Sequence, residues 1–328
     1  MTTDRAVRLG VLGCADIARR RTLPAATTVG GLAVTAIASR DAGKARRYCA
    51  EFGGSPVHGY DALLTREDVD AVYVPLPPLL HREWVEKALR AGKHVLAEKP
   101  LTTTAADAAE LFRLAEQRRL VLMENYMFLH HAQHEHVRDL LSRGVIGDVR
   151  EFCCTFTIPP KPPGDIRHDP RTGGGALLDI GGYPIRAAVH FLPEPLTVLG
   201  AVLRENAGTG VVTGGSVLLS TEHGVAAQLT FGMEHSYICG YEFRGSTGRL
   251  RLDRAFTPPP HLRPVVHIET GGAAQTITLP ADDQFANVLT AFAAAVRLGS
   301  APPHWRAGSI RQAALVDEVV RVAKAVPR

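Results

Sequence analysis

Residues 7–20 read VRLGVLGCADIARR, and this stretch decides the fold. Val7 to Leu12 is an apolar run of strand length, closed by Gly13. In the turn that follows, Gly13, Ala15 and Ala18 occupy the three places of the GxGxxG dinucleotide fingerprint, within the segment Gly13, Cys14, Ala15, Asp16, Ile17. The first glycine permits a tight strand-to-helix turn, the second lets backbone approach a pyrophosphate, and the third allows close helix packing. Alanine is common at the third place, and at the second it crowds the phosphate slightly. A glycine turn alone is a weak signal, so its surroundings matter.

Working outward, Leu32 to Ala38, Ala71 to Val74, His94 to Ala97 and Leu120 to Met123 read as further strands. Ile17 to Thr28, Ala42 to Phe52, His81 to Ala91 and Ala105 to Arg118 carry apolar residues at helical spacing. Alternating strands and helices imply a parallel sheet covered on both faces with right-handed crossovers. A doubly wound α/β domain of the Rossmann type is expected over residues 1–124.

After about Asn125 the pattern changes. Gln133 to Ser142 reads as a helix ended at Arg143-Gly144, and Val149, Phe152, Cys154, Phe156 and Ile158 mark a longer strand. A Pro-rich loop follows at 159–170, then a helix from Gly175 to Phe191, then strand patterns from Val198 to Leu279. Val225, Ala227, Leu229 and Phe231 face one way and Gln228 and Thr230 the other. Helices are expected at Phe285 to Leu298 and Ile310 to Val326. Residues 125–328 thus predict an α+β domain on a large open, mostly antiparallel sheet. Its apolar face needs a cover, either helices or another subunit.

Composition narrows the function. The chain has 328 residues, 45% hydrophobic and 21% charged, which suits two soluble globular domains. A net charge of +4 without a dense Lys/Arg block argues against nucleic acid and suits an anionic small molecule. No signal-peptide pattern precedes the first strand, and no apolar run approaches the roughly 20 residues of a membrane span. A cytoplasmic, membrane-free protein is expected. The five cysteines form no CxxC pair, and His130, His131, His134 and His136 lack a zincin glutamate, so no metal is expected.

Ala38-Ser39-Arg40 ends the second strand about 20 residues after the fingerprint, where a ribose-reading residue belongs. In place of the carboxylate usual for NAD stand Ser39 and Arg40, with Lys44 one helical turn beyond. Together they suit a 2′-phosphate, hence NADP(H). The plain alternative is a solvated helix start. At the end of the fifth strand Glu98-Lys99-Pro100 opens onto the nicotinamide end of such a crevice, where Lys99 can bond a carbonyl oxygen and relay a proton. A cis bond at Pro100 would aim it. In GGGALLDIGGYPIR, Asp179 and Tyr183 are four apart and share one helix face, and a tyrosine hydroxyl can protonate an alkoxide. The plain alternative for Tyr183 is a core aromatic.

GCADIA, the Ser39-Arg40 pair, VYVPLPPLLH, GKHVLAEKPL and GGGALLDIGGYP together resemble the glucose-fructose oxidoreductase, inositol dehydrogenase and rhizopine-catabolism (Gfo/Idh/MocA) family, in order over most of the chain. The resemblance implies hydride transfer between a nicotinamide and a sugar or cyclitol carbon, with Lys99 catalytic. It places Pro75, Leu76, Pro77 and His81 beside the cofactor, with Glu98 and Asn125. It also implies a homo-oligomer, dimer or tetramer, paired through the C-terminal sheet. Many members carry histidine where this chain has Tyr183. That tyrosine, with MEN, FLHH, FTIPPKPPGDIR and FRGSTGRL, is similar to bacterial deoxysugar ketoreductases that reduce the C-3 ketone of TDP-3,4-diketo-2,6-dideoxyhexoses with NADPH. Tyr183 then becomes the proton donor, with Lys99 as partner or alternative, Asp179 orienting sugar or donor, and Lys161 and Arg167 reaching the substrate diphosphate. The alternatives are an NADP-dependent aldose or dihydrodiol dehydrogenase, and a dinucleotide-sensing regulator without turnover.

Overall fold

The computed structural model describes residues 5–192 and 195–327, and every count below is among these residues; the polar lead at 1–4 lies outside them. Strands β1 (Val7–Leu12), β2 (Leu32–Ser39), β3 (Ser55–His58), β4 (Ala71–Val74), β5 (His94–Glu98) and β6 (Leu122–Asn125) form one sheet, all pairs parallel, in the order β3-β2-β1-β4-β5-β6. Between them run α1 (Leu23–Ala26), α2 (Ala42–Phe52), α3 (Tyr60–Leu64), α4 (Pro78–Arg90) and α5 (Ala105–Arg118). Every residue of β4 and β6 is buried, which requires cover on both faces of the sheet, as in a Rossmann domain. Asp41 starts α2 by accepting from the N–H groups of Gly43 and Lys44, and Thr104 starts α5 by accepting from Asp107. Strand order reverses between β1 and β4, the switch point outside whose carboxyl ends ligands bind in this architecture.

Several elements differ from the sequence reading: α3 was not assigned there, and α4 starts three residues before His81. Strand β3 contains Pro56, which an edge strand tolerates but which breaks the strand pattern. The helix after the fingerprint opens with a π turn, Ala18–Thr22, that apolar spacing cannot distinguish from α. Strand β6 begins two residues later than read.

The second sheet joins β7 (Val149–Thr157), β8 (Leu196–Glu205), β9 (Val212–Thr221), β10 (Ala226–Gly232), β11 (Ile238–Gly245), β12 (Gly248–Asp253), β13 (Val265–Thr270), β14 (Ala273–Thr278) and β15 (Lys324–Pro327). Its order is β14-β13-β12-β11-β7-β10-β9-β8-β15, antiparallel except for β7 with β10 and β8 with β15. Helices α6 (Ala132–Ser142) and α7 (Gly182–Phe191) belong to this part of the chain. The inward face carries Phe152, Phe156, Phe231, Tyr241 and Phe243, and α7 adds Tyr183 and Phe191 to the same aromatic core. On the outward face Arg244 bridges Glu151 at 2.7 Å and Glu242 at 2.6 Å, and Arg249 pairs with Glu269. The expected split into one apolar and one polar face is therefore present, and helices supply cover on the apolar side. The helix expected to Val326 instead ends at Val322, and Lys324–Pro327 adds a strand beside β8.

The chain divides into two compact units: residues to Met127 together with Phe285–Ile310, and Phe128–Gln284 together with the residues from Arg311. The first unit thus takes in most of α8 (Gln284–Leu298) and the start of α9 (Pro303–Val322), segments that the sequence reading assigns wholly to the second. The reason is local. Val288, Leu289 and Phe292 are buried, Arg297 donates to the Gly31 carbonyl, and Arg306 pairs with Glu116. No helix among the described residues is long and apolar enough to cross a membrane.

Candidate active site

The fingerprint turn is built for close approach. Gly13 has φ +122°, and its N–H donates to the Ala38 carbonyl at 3.0 Å. A Cβ there would lie 2.9 Å from Leu76 Cδ2 and 3.7 Å from the Tyr60 hydroxyl, so conformation and space both demand glycine. Leu76, expected beside the cofactor, therefore lines this cradle, and so does Tyr60, which the sequence reading missed. Cys14, Ala15 and Ile17 are half-buried in the same turn, while Asp16 is exposed and paired with Arg20.

Behind the turn, Ser39 ends β2 buried, and Arg40, Lys44 and Arg47 are exposed. Burial pushes the Cys14 thiol up, against a hydrogen bond from Ser39 and the charges of Lys44 and Arg47, so these groups share one neighbourhood. Burial also raises the Tyr60 hydroxyl, and the adjacent Arg40 charge and hydrogen bond pull it back. The backbone N–H groups of Lys44 and Gly43 hold the Asp41 carboxyl below the usual range, keeping it occupied as a cap. Among the described residues none of Arg40, Lys44 and Arg47 is in an ion pair with a carboxylate. Arg47 is a member that the sequence reading missed, although its position three residues after Lys44 was visible.

At the carboxyl ends of β5 and β6, Glu98 and Asn125 are register partners. Glu98 Oε1 accepts from the Tyr73 hydroxyl at 2.6 Å and from Asn125 Nδ2 at 2.8 Å, and Thr22 Oγ1 lies 3.0 Å from that hydroxyl. Burial pushes the Glu98 carboxyl up, and Tyr73, Lys99 and Asn125 offset part of this. Lys99 follows, half-buried, with a cis bond to Pro100. Pro75 is buried and Pro77 half-buried after β4.

His81, expected beside the cofactor, presents both ring nitrogens to backbone carbonyls. It is 0% exposed, with Nδ1 2.7 Å from the Pro100 carbonyl and Nε2 2.7 Å from the Leu76 carbonyl. Neither ring nitrogen is left for a ligand. His81 instead ties the Leu76 turn to the Lys99-Pro100 turn, a role that no sequence signal reveals because both partners are backbone.

In the second unit Asp179 lies in a π turn, Leu177–Gly181, that leads into α7. The four-residue spacing therefore does not by itself set Asp179 and Tyr183 on one face, because a π turn advances the register differently from α. Tyr183 is 6% exposed, its ring against Phe156 (5.1 Å), Phe256 (5.4 Å) and Phe128 (5.8 Å). Asp179 Oδ2 accepts from Arg167 Nε at 2.5 Å, and Arg167 Nη1 donates to Asp165 at 3.1 Å. Arg167 was expected to reach a diphosphate; its charge is already balanced by these two carboxylates. Lys161 is half-buried in the same loop, its carbonyl 3.2 Å from His168 Nε2.

Two of the clustered histidines, His131 and His134, have structural partners. His134 is fully buried between the Tyr241 hydroxyl and the Ala255 carbonyl, and burial holds its pKa well below the usual value. His131 caps α6 by accepting from the Gln133 N–H.

A family model described as an oxidoreductase family with an NAD-binding Rossmann fold matches residues 7–126, and one described as the GFO/IDH/MocA C-terminal domain matches 134–251. The chain is 60% identical over 313 residues to a dTDP-3,4-didehydro-2,6-dideoxy-alpha-D-glucose 3-reductase of Actinomadura kijaniata, covering 95% of this chain and 94% of that one. It is 54% identical over 319 residues to a reductase of the same name from Streptomyces antibioticus, covering 97% of each. The crystal structure of KijD10, a 3-ketoreductase from Actinomadura kijaniata in complex with NADP and TDP-benzene, matches with a TM-score of 0.97 at 58% identity, over 99% of this chain and 100% of that one. With family models matching on either side of Met127 and relatives above half identity along nearly the whole length, the chain belongs to the GFO/IDH/MocA oxidoreductase family.

Proposed function

We propose that this chain catalyses the NADPH-dependent reduction of the C-3 ketone of a TDP-3,4-didehydro-2,6-dideoxyhexose in deoxysugar biosynthesis. The observation that carries the reading is its near full-length identity to 3-reductases named for that substrate. KijD10 has also been solved with one lysine replaced by alanine or glutamate, and with one tyrosine replaced by phenylalanine, each with TDP-benzene and NADP. Those two positions are separated by the same interval as Lys99 and Tyr183, which supports assigning the proton chemistry to this pair.

The residues present fit the phosphorylated dinucleotide. Gly13 leaves the space a Cβ would fill, and Ser39, Arg40, Lys44 and Arg47 offer one hydroxyl and three cations to a 2′-phosphate. Cys14, Ala15, Asp16 and Ile17 offer backbone to the pyrophosphate. When bound, NADPH supplies the hydride that C-3 accepts. Tyr183 gives its phenolic proton to the oxygen that becomes the new hydroxyl, and the Lys99 ammonium bonds that oxygen and is the alternative donor. Asp179 and Arg167 act as a bonded pair that fixes the turn before Tyr183, and Lys161 remains the candidate cation for the substrate diphosphate. The ketone gains a hydride and a proton, and the protein is left short of one proton that solvent restores.

The test is NADPH oxidation with a TDP-diketo-dideoxysugar, comparing wild type with Lys99→Ala and Tyr183→Phe. Losing a positioned acid should slow turnover by roughly 10²–10⁴-fold. Full rate in both variants would remove these residues from the chemistry. Tight NADPH binding with no reduction of any keto-sugar would make the chain a dinucleotide sensor.

We further propose a homo-oligomer, dimer or tetramer, with a second copy covering the outward end of the second sheet, where Leu199, Val202, Leu218 and Val326 are exposed. Light scattering that returns a monomer mass would reject it. The five cysteines are unpaired, in keeping with a reducing compartment, and we place the enzyme in the cytoplasm.

A further inference from the structure

Asn125 is 1% exposed, and its two amide atoms are treated differently. Nδ2 donates to Glu98 Oε1, whereas Oδ1 is buried with no hydrogen-bond partner among the described residues. A buried acceptor left unsatisfied is costly, and the usual remedy is to turn the amide over. That remedy is blocked here. Glu98 Oε1 already accepts from the Tyr73 hydroxyl, and that hydroxyl is within bonding distance of Thr22 Oγ1. A flipped Asn125 would set oxygen against oxygen. The chain Thr22, Tyr73, Glu98 thus fixes the orientation in which the Asn125 oxygen is unmet.

The place of this oxygen in the sheet limits what can meet it. Asn125 ends β6 and Ser39 ends β2, on opposite sides of the β1/β4 switch point. The cations that suit an adenosine 2′-phosphate lie on the β2 side. A dinucleotide laid across the switch point brings its nicotinamide half toward β4, β5 and β6. The group that such a half offers to a lone acceptor is the carboxamide N–H.

We infer that Asn125 Oδ1 accepts a hydrogen bond from the nicotinamide carboxamide and so sets the rotation of the ring, with Glu98 and Tyr73 as positioning residues. This rests on the dinucleotide reading above and adds a residue-level contact to it. The consequence is discrimination between NADPH and an analogue lacking that N–H.

The probe is the reduced 3-acetylpyridine analogue of NADPH, which keeps the carbonyl and replaces the amide nitrogen with a methyl group. Dissociation constants are measured by cofactor fluorescence and calorimetry for wild type and Asn125→Ala. The near-isosteric Asn125→Leu serves where the alanine variant does not fold. Wild type should prefer NADPH by about ten-fold or more, and the variant should lose most of that preference. Adenosine 2′,5′-bisphosphate should bind wild type and variant alike. Equal affinity of wild type for the two dinucleotides overturns the inference and leaves the cofactor reading intact. A preference that survives in the variant also overturns it, because another group would then read the carboxamide. Binding of neither dinucleotide by wild type would defeat the cofactor reading beneath it.

Discussion

Replacing His81 with alanine removes the one side chain that spans from the Leu76 carbonyl to the Pro100 carbonyl, both at 2.7 Å and with the ring wholly buried. Burial keeps the ring neutral, so a single N–H donates to one of the two carbonyls, and stranding that carbonyl costs about 1–3 kcal/mol before the cavity left by the ring is counted. A domain with about 5–15 kcal/mol of total stability feels such a loss strongly. His81→Gln, which keeps one amide donor group, should recover part of it. Both tryptophans, Trp84 and Trp305, lie in the first unit, so their fluorescence in a urea titration reports that unit alone. The same variant should raise KM for NADPH, because Leu76 faces the Gly13 cradle, and lower kcat, because Pro100 follows Lys99. A midpoint within about 1 kcal/mol of wild type, with kcat and KM unchanged, would refute the clamp.

Arg40→Ala and Lys44→Ala should each weaken NADPH binding by about ten-fold or more while leaving NADH nearly unaffected, read by fluorescence titration at fixed salt. Burial holds His81, His94, His131 and His134 below the usual histidine range, so the unfolded chain takes up protons that the folded chain refuses. Stability should therefore be full above the unfolded pKa near 6.5 and fall as pH drops below it, by up to about 1.4 kcal/mol per pH unit for each such histidine. His134→Phe, in the second unit, should make the urea midpoint followed by far-UV circular dichroism less steep in pH. Asp179→Asn should loosen Arg167 and lower kcat with little change in NADPH affinity; an unchanged kcat would free that pair from any role in turnover.

Much of the first domain was legible because hydrophobic burial on both sheet faces leaves unbroken apolar runs. Ala42–Phe52 and Ala105–Arg118 were read to the residue, each being bracketed by a capping side chain and a Gly or charged stop. What escaped has a common origin. Strand β3 carries a proline, and the two π turns keep helical apolar spacing while shifting which side chains align. At the site, Lys99, Tyr183, Ser39, Arg40 and Lys44 announce themselves by chemistry and position. Tyr60 enters only through folding, Arg47 stands three residues past Lys44 on the same helix and was open to reading, and His81 binds backbone, which carries no sequence mark. Arg167 looked like a spare cation because its partners, Asp165 and Asp179, sit two and twelve residues away across an irregular loop.

The discontinuity of the first unit has a consequence for how the protein is made. Phe285 leaves the ribosome 158 residues after Met127, roughly 8–30 s later at ordinary elongation rates. During that interval the first unit lacks the segment holding Val288, Leu289 and Phe292, three side chains that are buried in the finished protein, and the incomplete unit stands open to chaperones or to misassociation. A fragment cut near residue 124 would be frozen in that unfinished state.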